Sequence, residues 1–250
     1  MVNLLNPEVL KVKKYGVTLF LICLAVAAAG CINNTHGTGS GNVINQTRSI
    51  QGVNQVTLEG TGTVLVIQGN QESLTIEAED NILPHIVSSV KGNMLTVSYD
   101  NTTPSPTRPV KYHLTVKDLS SMTLSGAVKI ETSGFKTQSL GISMNGAGEG
   151  NLSGLEVNTL TVTLSGAAKM NMAGTATDQT VTISGAGDYE AGNLKSQTTT
   201  MTINGAGKGT LNVSSILNAT INGTGEISYL GNPQVNRQIN GAGTVRQTTT

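Results

Sequence analysis

The side chains in this chain that suggest chemistry are few and scattered. Asp188 and Glu190 alternate, so on a strand they share one face, as a pair of carboxylates working on a glycosidic bond would need to. They are the best pair in the second half of the chain; Glu149, Glu156, Asp178 and Glu226 stand apart. Glu77, Glu79 and Asp80 form the densest acidic group. On a strand Glu77 and Glu79 also share a face, which offers either a weak Ca²⁺ site or a plain solvated surface. His36, His85 and His113 have no metal-ligand spacing to one another or to a cysteine. Neither a Gly-x-Ser-x-Gly elbow nor a His-Glu-x-x-His pair occurs. The sequence therefore yields no catalytic residue, no metal ligand and no cofactor. A polysaccharide lyase or glycosidase centred on Asp188 and Glu190 is the enzymatic alternative.

One thiol has a clearer role. Lys11, Lys13 and Lys14 precede an apolar run from Gly16 to Gly30, followed at once by Cys31. A basic start, an apolar stretch of about 15 residues and small residues before a break are the parts of an export signal. The run is short for a membrane span, which takes about 20 apolar residues. Ala28-Ala29-Gly30-Cys31 resembles a prokaryotic lipobox, departing from it at Ala28, where Leu is usual. The small residues suit a peptidase cleft, and the thiol is the nucleophile for thioether formation. Cys23 lies inside the signal, so Cys31 is the one thiol of the exported chain and has nothing to pair with. Residues 1–30 are thus read as a signal peptide and 31–48 as a lipid-anchored, Gly-rich flexible tether.

The rest of the chain must be organised without large rings. Aromatics are 3%, charged residues 12%, Trp is absent and there are 30 glycines. Formal net charge is zero, and removing residues 1–30 leaves 12 bases against 14 acids, so nothing marks a nucleic-acid partner. What recurs is a tag: aliphatic, small polar, Gly, Ala or Thr, small. Its glycines, Gly126, Gly146, Gly166, Gly185, Gly205, Gly223 and Gly241, are 18 to 20 residues apart, and Leu58-Glu-Gly-Thr-Gly62 is an outlying copy. A repeat of this length indicates a solenoid. Before each tag apolar residues alternate with Ser, Thr or Asn, as in Leu160, Val162 and Leu164 or Met201 and Ile203. That period of two belongs to a strand with one buried face. The fold expected is all-β, a right-handed parallel β-helix of about 18–20 residues per coil, its hand following from that of parallel crossovers.

In that fold Leu124, Met144, Leu164, Ile183, Ile203, Ile221 and Ile239 form one aliphatic stack, with the tag Gly turning the corner. Asn145, Asn204, Asn222 and Asn240 stand beside the corner with Ser125, Ser165 and Ser184 as a polar ladder. Residues 119–247 are the regular repeats. Residues 49–118, less regular and broken by Pro104, Pro106 and Pro109, supply the first coils and a cap over otherwise unpaired strand edges.

Val64-Leu-Val-Ile-Gln-Gly69, Ile76-Glu-Ala-Glu-Asp-Asn-Ile-Leu-Pro84 and the serial Gly-Ala-Gly tags together resemble the head GIN domain family over about residues 49–245. Members are secreted proteins described as adhesin heads of autotransporters. The resemblance implies a β-helical fold and an extracytoplasmic, cell-envelope location, and it supplies no catalytic residue. The expected function is a cell-surface lipoprotein with a structural or adhesive role, partnered by the membrane through its lipid and by surface glycans or envelope proteins. A carbohydrate- or envelope-polymer-binding module is the second reading, with Phe135, Tyr189 and Tyr229 the only aromatics in the repeats to offer a sugar. Asn45, Asn101, Asn151 and Asn218 each head an Asn-x-Ser/Thr sequon, the acceptor pattern for N-glycosylation of exported chains, which a chain this rich in Asn and Thr also produces by chance.

Cys31→Ser is expected to release the protein from the membrane fraction or to leave it as an unprocessed precursor. Fractionation followed by mass measurement checks this, and a fully processed, membrane-bound Cys31→Ser product would refute the anchor.

Overall fold

A computed structural model describes residues 37–249; the export run, Cys31, His36 and the start of the tether lie outside them. The first strands are β1 (Val43–Ser49), β2 (Gln55–Gln68), β3 (Ser73–Glu79), β4 (Ile86–Lys91), β5 (Met94–Tyr99) and β6 (Lys111–Val116). Then come β7 (Ser121–Gly146), β8 (Glu149–Gly166), β9 (Lys169–Gly185), β10 (Asp188–Gly205) and β11 (Lys208–Ile221). Shorter strands follow as β12 (Glu226–Leu230), β13 (Gln234–Ile239) and β14 (Thr244–Gln247). Together they build a parallel β-solenoid of about six turns. Among the described residues a single 3-10 turn, Leu83–His85, interrupts the strands, and no helix is long and apolar enough to cross a membrane.

The alternation of the sequence becomes inside and outside. Leu124, Met144, Leu164, Ile183, Ile203 and Ile221 are at most 2% exposed, and in-register pairs join Met144, Leu164, Ile183, Ile203 and Ile221 in one column. Ile239 extends the column on β13 but is 37% exposed, since no described coil stacks on it. The second alternation after each tag, Met170 and Met172 or Leu211 and Val213, is buried as well.

Glycine at the corner is forced by its neighbours. Gly166 and Gly185 have φ of 113° and 134°, and a Cβ on Gly185 would sit 2.6 Å from the Gly166 carbonyl oxygen. A side chain there would strike the backbone of the coil below, and the positive φ would strain it besides. The polar ladder beside this corner is real where amide meets amide: Asn222 donates to Asn204 and Asn240 to Asn222, both at 2.8 Å.

The N-terminal part departs from sequence order. Along the sheet β2 lies between β6 and β7, so the outlying tag becomes the first rung, with Gly60 paired to Gly126. β5 and β6 run parallel to the two halves of β2, while β3 on β6, β1 on β3 and β4 on β5 are antiparallel. Residues 43–48, read from sequence as the end of the tether, belong to strand β1. The lack of an apolar inward face hides this, because β1 is held by its backbone ladder to β3 rather than by burial.

Ile203→Asp is expected to cost more than about 4 kcal/mol, because it places an unpaired charge in an apolar column. Thr202→Asp, whose side chain faces outward between Thr182 and Thr220, is expected to cost within about 1 kcal/mol. Urea unfolding followed by circular dichroism compares them, and equal losses would overturn the inward register.

Candidate functional site

Where the chain rounds a second corner, residues from successive coils line an open groove of about 760 Å³. Each coil adds hydrogen-bonding groups: Gln138 from β7, Asn158 from β8, Thr175 and Thr177 from β9, Lys195 and Gln197 from β10, and Ser214 from β11. At one end Gln68 clamps the wall, since its side-chain amide donates to the Lys136 carbonyl and accepts from the Lys136 N–H. Lys136 pairs with Glu156 at 3.0 Å and Asn158 donates to Gln138, so part of the lining is ordered in advance. Lys195 makes no ion pair among the described residues.

Beneath the groove the core turns polar. Ser196, on the groove wall, meets Thr199 at 2.7 Å and donates to the Asn212 carbonyl. Thr199 donates to Gln179, whose amide donates to the Tyr189 hydroxyl. All four side chains are buried, and burial pushes the Tyr189 hydroxyl pKa above its ordinary value. Gln179 and Thr199 occupy a column that Leu140, Leu160 and Leu217 fill elsewhere. The aromatics expected to meet a sugar are therefore mostly core: Tyr189 and Phe135 are 0% and 2% exposed, and Tyr229 is partly buried against the core.

Asp188 and Glu190 do point outward on one strand, on either side of the buried Tyr189. Their neighbours change what Asp188 means. Three residues after each tag glycine from Gly126 to Gly223 stands a charge, and the ladder pairs them in register: Lys129, Glu149, Lys169, Asp188, Lys208, Glu226. The sign alternates at every rung. Like charges stacked at the strand spacing of about 4.8 Å would repel, so alternation is what a charged column requires. Sequence reasoning missed this, although aligning the tags and reading three residues on reveals it.

The acidic group at the N-terminal end is also structural. Glu77 binds Lys111 at 2.8 Å and lies 3.6 Å from His113, and the Lys111 hydrogen bond holds its carboxyl below the usual range. Glu79 is not solvated but fully buried. It accepts hydrogen bonds from the Gly41 N–H and from the N–H and hydroxyl of Thr107, and the Thr107 hydroxyl is the main cause of its lowered pKa. It ties the segment before β1 to β3 and to the proline-rich loop. Asp80 accepts from Ser40 and Asn42. His85 Nδ1 lies 3.0 Å from the carboxylate of Asp100, which also accepts from the N–H and hydroxyl of Thr102. No group of three or more His, Cys, Asp or Glu among the described residues is placed to hold a metal ion.

Comparison with known proteins agrees with this architecture. Residues 53–233 match the family described as "Putative auto-transporter adhesin, head GIN domain". The crystal structure of a putative adhesin from Bacteroides fragilis is 26% identical, with a TM-score of 0.80 over 85% of this chain and 100% of that one. A putative lipid binding protein from Parabacteroides distasonis (20% identity, TM-score 0.69) is aligned over 85% of this chain and 99% of its own. A putative adhesin from Parabacteroides merdae (20% identity, TM-score 0.67) has the same coverage. These last two bear on the fold alone. No curated protein matches the chain.

The His85–Asp100 contact gives the domain an acid signature. The His85 hydrogen bond, then those of Thr102, lower the Asp100 pKa from 3.8 to about 2. A depressed carboxylate stabilises the fold above its unfolded pKa and loses that contribution as pH falls from about 3.8 towards 2. Asp100→Asn is therefore expected to be less stable than wild type at pH 6 and to lose less further stability between pH 4 and 2. Thermal melts across this range check it, and parallel pH slopes for the two proteins would refute it.

Proposed function

The chain belongs to the head GIN domain family, and from that membership we propose that it is an adhesive module displayed outside the cell on a lipid at Cys31. We further propose that it holds an extended polar polymer, a surface glycan or an envelope polymer, in the groove from Gln68 to Ser214. The family's description and the 26% identical adhesin support the adhesin-like role. The observation that carries the polymer reading is the groove. Its volume is in the range of ligand sites, about 300–1,000 Å³, but it is open along its length and offers polar side chains from one coil after another. A chain laid along the solenoid would meet a new hydrogen-bonding group at about every 4.8 Å. With the repeat aromatics committed to the core, recognition falls to amides, hydroxyls and Lys195. Side chains already ordered, such as Gln68 and Asn158, lose less freedom on binding.

The enzymatic alternative finds less support. Asp188 has lysines above and below it in the ladder, which accounts for an acid at that position without a substrate. The experiment is a screen of the purified protein against glycans and envelope polymers. For any polymer bound, Lys195→Glu combined with Asn158→Ala is expected to weaken binding at least about tenfold with an unchanged circular dichroism spectrum. Full retention of binding by that variant would remove the groove from the proposal. Cleavage of a polysaccharide, lost in Asp188→Asn/Glu190→Gln, would overturn the non-enzymatic reading.

A further inference from the structure

The alternating ladder of Lys129, Glu149, Lys169, Asp188, Lys208 and Glu226 has a symmetry that internal stacking alone does not require. It has six charged rungs, and the residues in register at its ends, Thr63 and Thr244, are neutral. An alternating row with an even number of members is its own complement when reversed. We propose that this face is a docking surface for a second copy of the same chain, the two solenoids lying side by side with their axes antiparallel.

The two-fold axis of such a pair runs along the strand direction, midway between Lys169 and Asp188. It sets rung one against rung six, two against five and three against four. Lys129 then faces Glu226 of the second copy, Glu149 faces its Lys208, and Lys169 faces its Asp188, so every contact joins opposite charges. A parallel two-fold pair would set each charge against itself, and a parallel pair offset by one rung would leave end rungs unmatched. Only the antiparallel arrangement satisfies all six. This is the self-complementary, closed contact expected of a two-fold dimer.

Two further observations fit. The end rungs already have partners in their own chain, Lys129 with Glu131 at 2.8 Å and Glu226 with Arg246 at 2.6 Å. Lys169, Asp188 and Lys208 have none within 4.0 Å among the described residues, so the charges at the centre remain free to pair outward. The neighbouring outward column, two residues further on, tolerates the same operation: Glu131 meets Ser228, Asn151 meets Thr210 and Asn171 meets Glu190. No like charges oppose one another there. The ladder spans about 24 Å, five intervals of about 4.8 Å, and exposed ion pairs are individually weak. The association is therefore modest and strongly dependent on salt.

Sedimentation of the full chain in a non-ionic detergent tests this. A dimer is expected at about 10 mM salt and a monomer at about 1 M. Lys169→Glu places like charges across the axis twice and should raise the dissociation constant at least about tenfold. Adding Asp188→Lys to it is the decisive step. The double variant breaks alternation within each chain, with two acids and then two bases in succession, yet restores opposite charges across the two-fold axis. It should dimerise to within about threefold of wild type. If the ladder served only its own chain, the double variant would associate no better than Lys169→Glu. That result, or a wild-type monomer at low salt, overturns the proposal. Glu149→Lys/Lys208→Glu follows the same logic one rung out and gives the same readout should the first pair fail to show a native circular dichroism spectrum.

Discussion

Every side chain in a parallel, in-register stack lies about 4.8 Å from its own counterparts one coil above and one below. That single constraint decides which residues the repeat can hold. Aliphatic side chains gain by meeting themselves, and so Leu164, Ile183 and Ile203 continue one another. An amide carries both a donor and an acceptor and can pass a hydrogen bond along a column, as Asn204, Asn222 and Asn240 do. A tight corner must stack on a tight corner, and the backbone of the lower coil leaves no room for a Cβ on the upper. Charge is the one property that cannot meet itself, so a charged rung has neutral neighbours, as Glu190 does, or neighbours of the opposite sign, as Asp188 does.

The N-terminal end faces the opposite demand, which is to stop the repetition. Antiparallel β3 on β6, β1 on β3 and β4 on β5 replace parallel neighbours there. Strands of the new direction do not present the edge that the next coil would need. The buried carboxylate of Glu79 then ties this end together by accepting hydrogen bonds from two otherwise separate segments, at Gly41 and at Thr107. Because burial of an unpaired carboxylate is costly, the fully bonded Glu79 specifies one arrangement of the cap rather than several.

The regular half of this architecture was legible because its signals repeat. The inward residues and the corner glycines recur at fixed spacing, so each copy supports the reading of the others. The same property concealed the charged column. Lys129 or Asp188 taken alone is an ordinary surface charge, and only aligned copies display the change of sign. The groove was not legible, since Gln68 and Ser214 become neighbours of one surface only after six coils have stacked. Glu79 and β1 were misjudged for a related reason. A polar strand looks like a linker and an acidic cluster like a wet surface when the segment that covers or pairs with them lies some 30 residues away in the chain.

The position of β2 between β6 and β7 carries a consequence for how such a chain tolerates additions. Gly60 and Gly126 are adjacent rungs although 66 residues separate them, where a regular coil takes about 20. The entropy lost in closing a loop grows only with the logarithm of its length, so the longer excursion costs about 1 kcal/mol more than an ordinary coil. Four strands and the 3-10 turn occupy that excursion, and the pairing on either side of it continues in register. A closed end can thus be spliced between two coils without disturbing the corners that hold them.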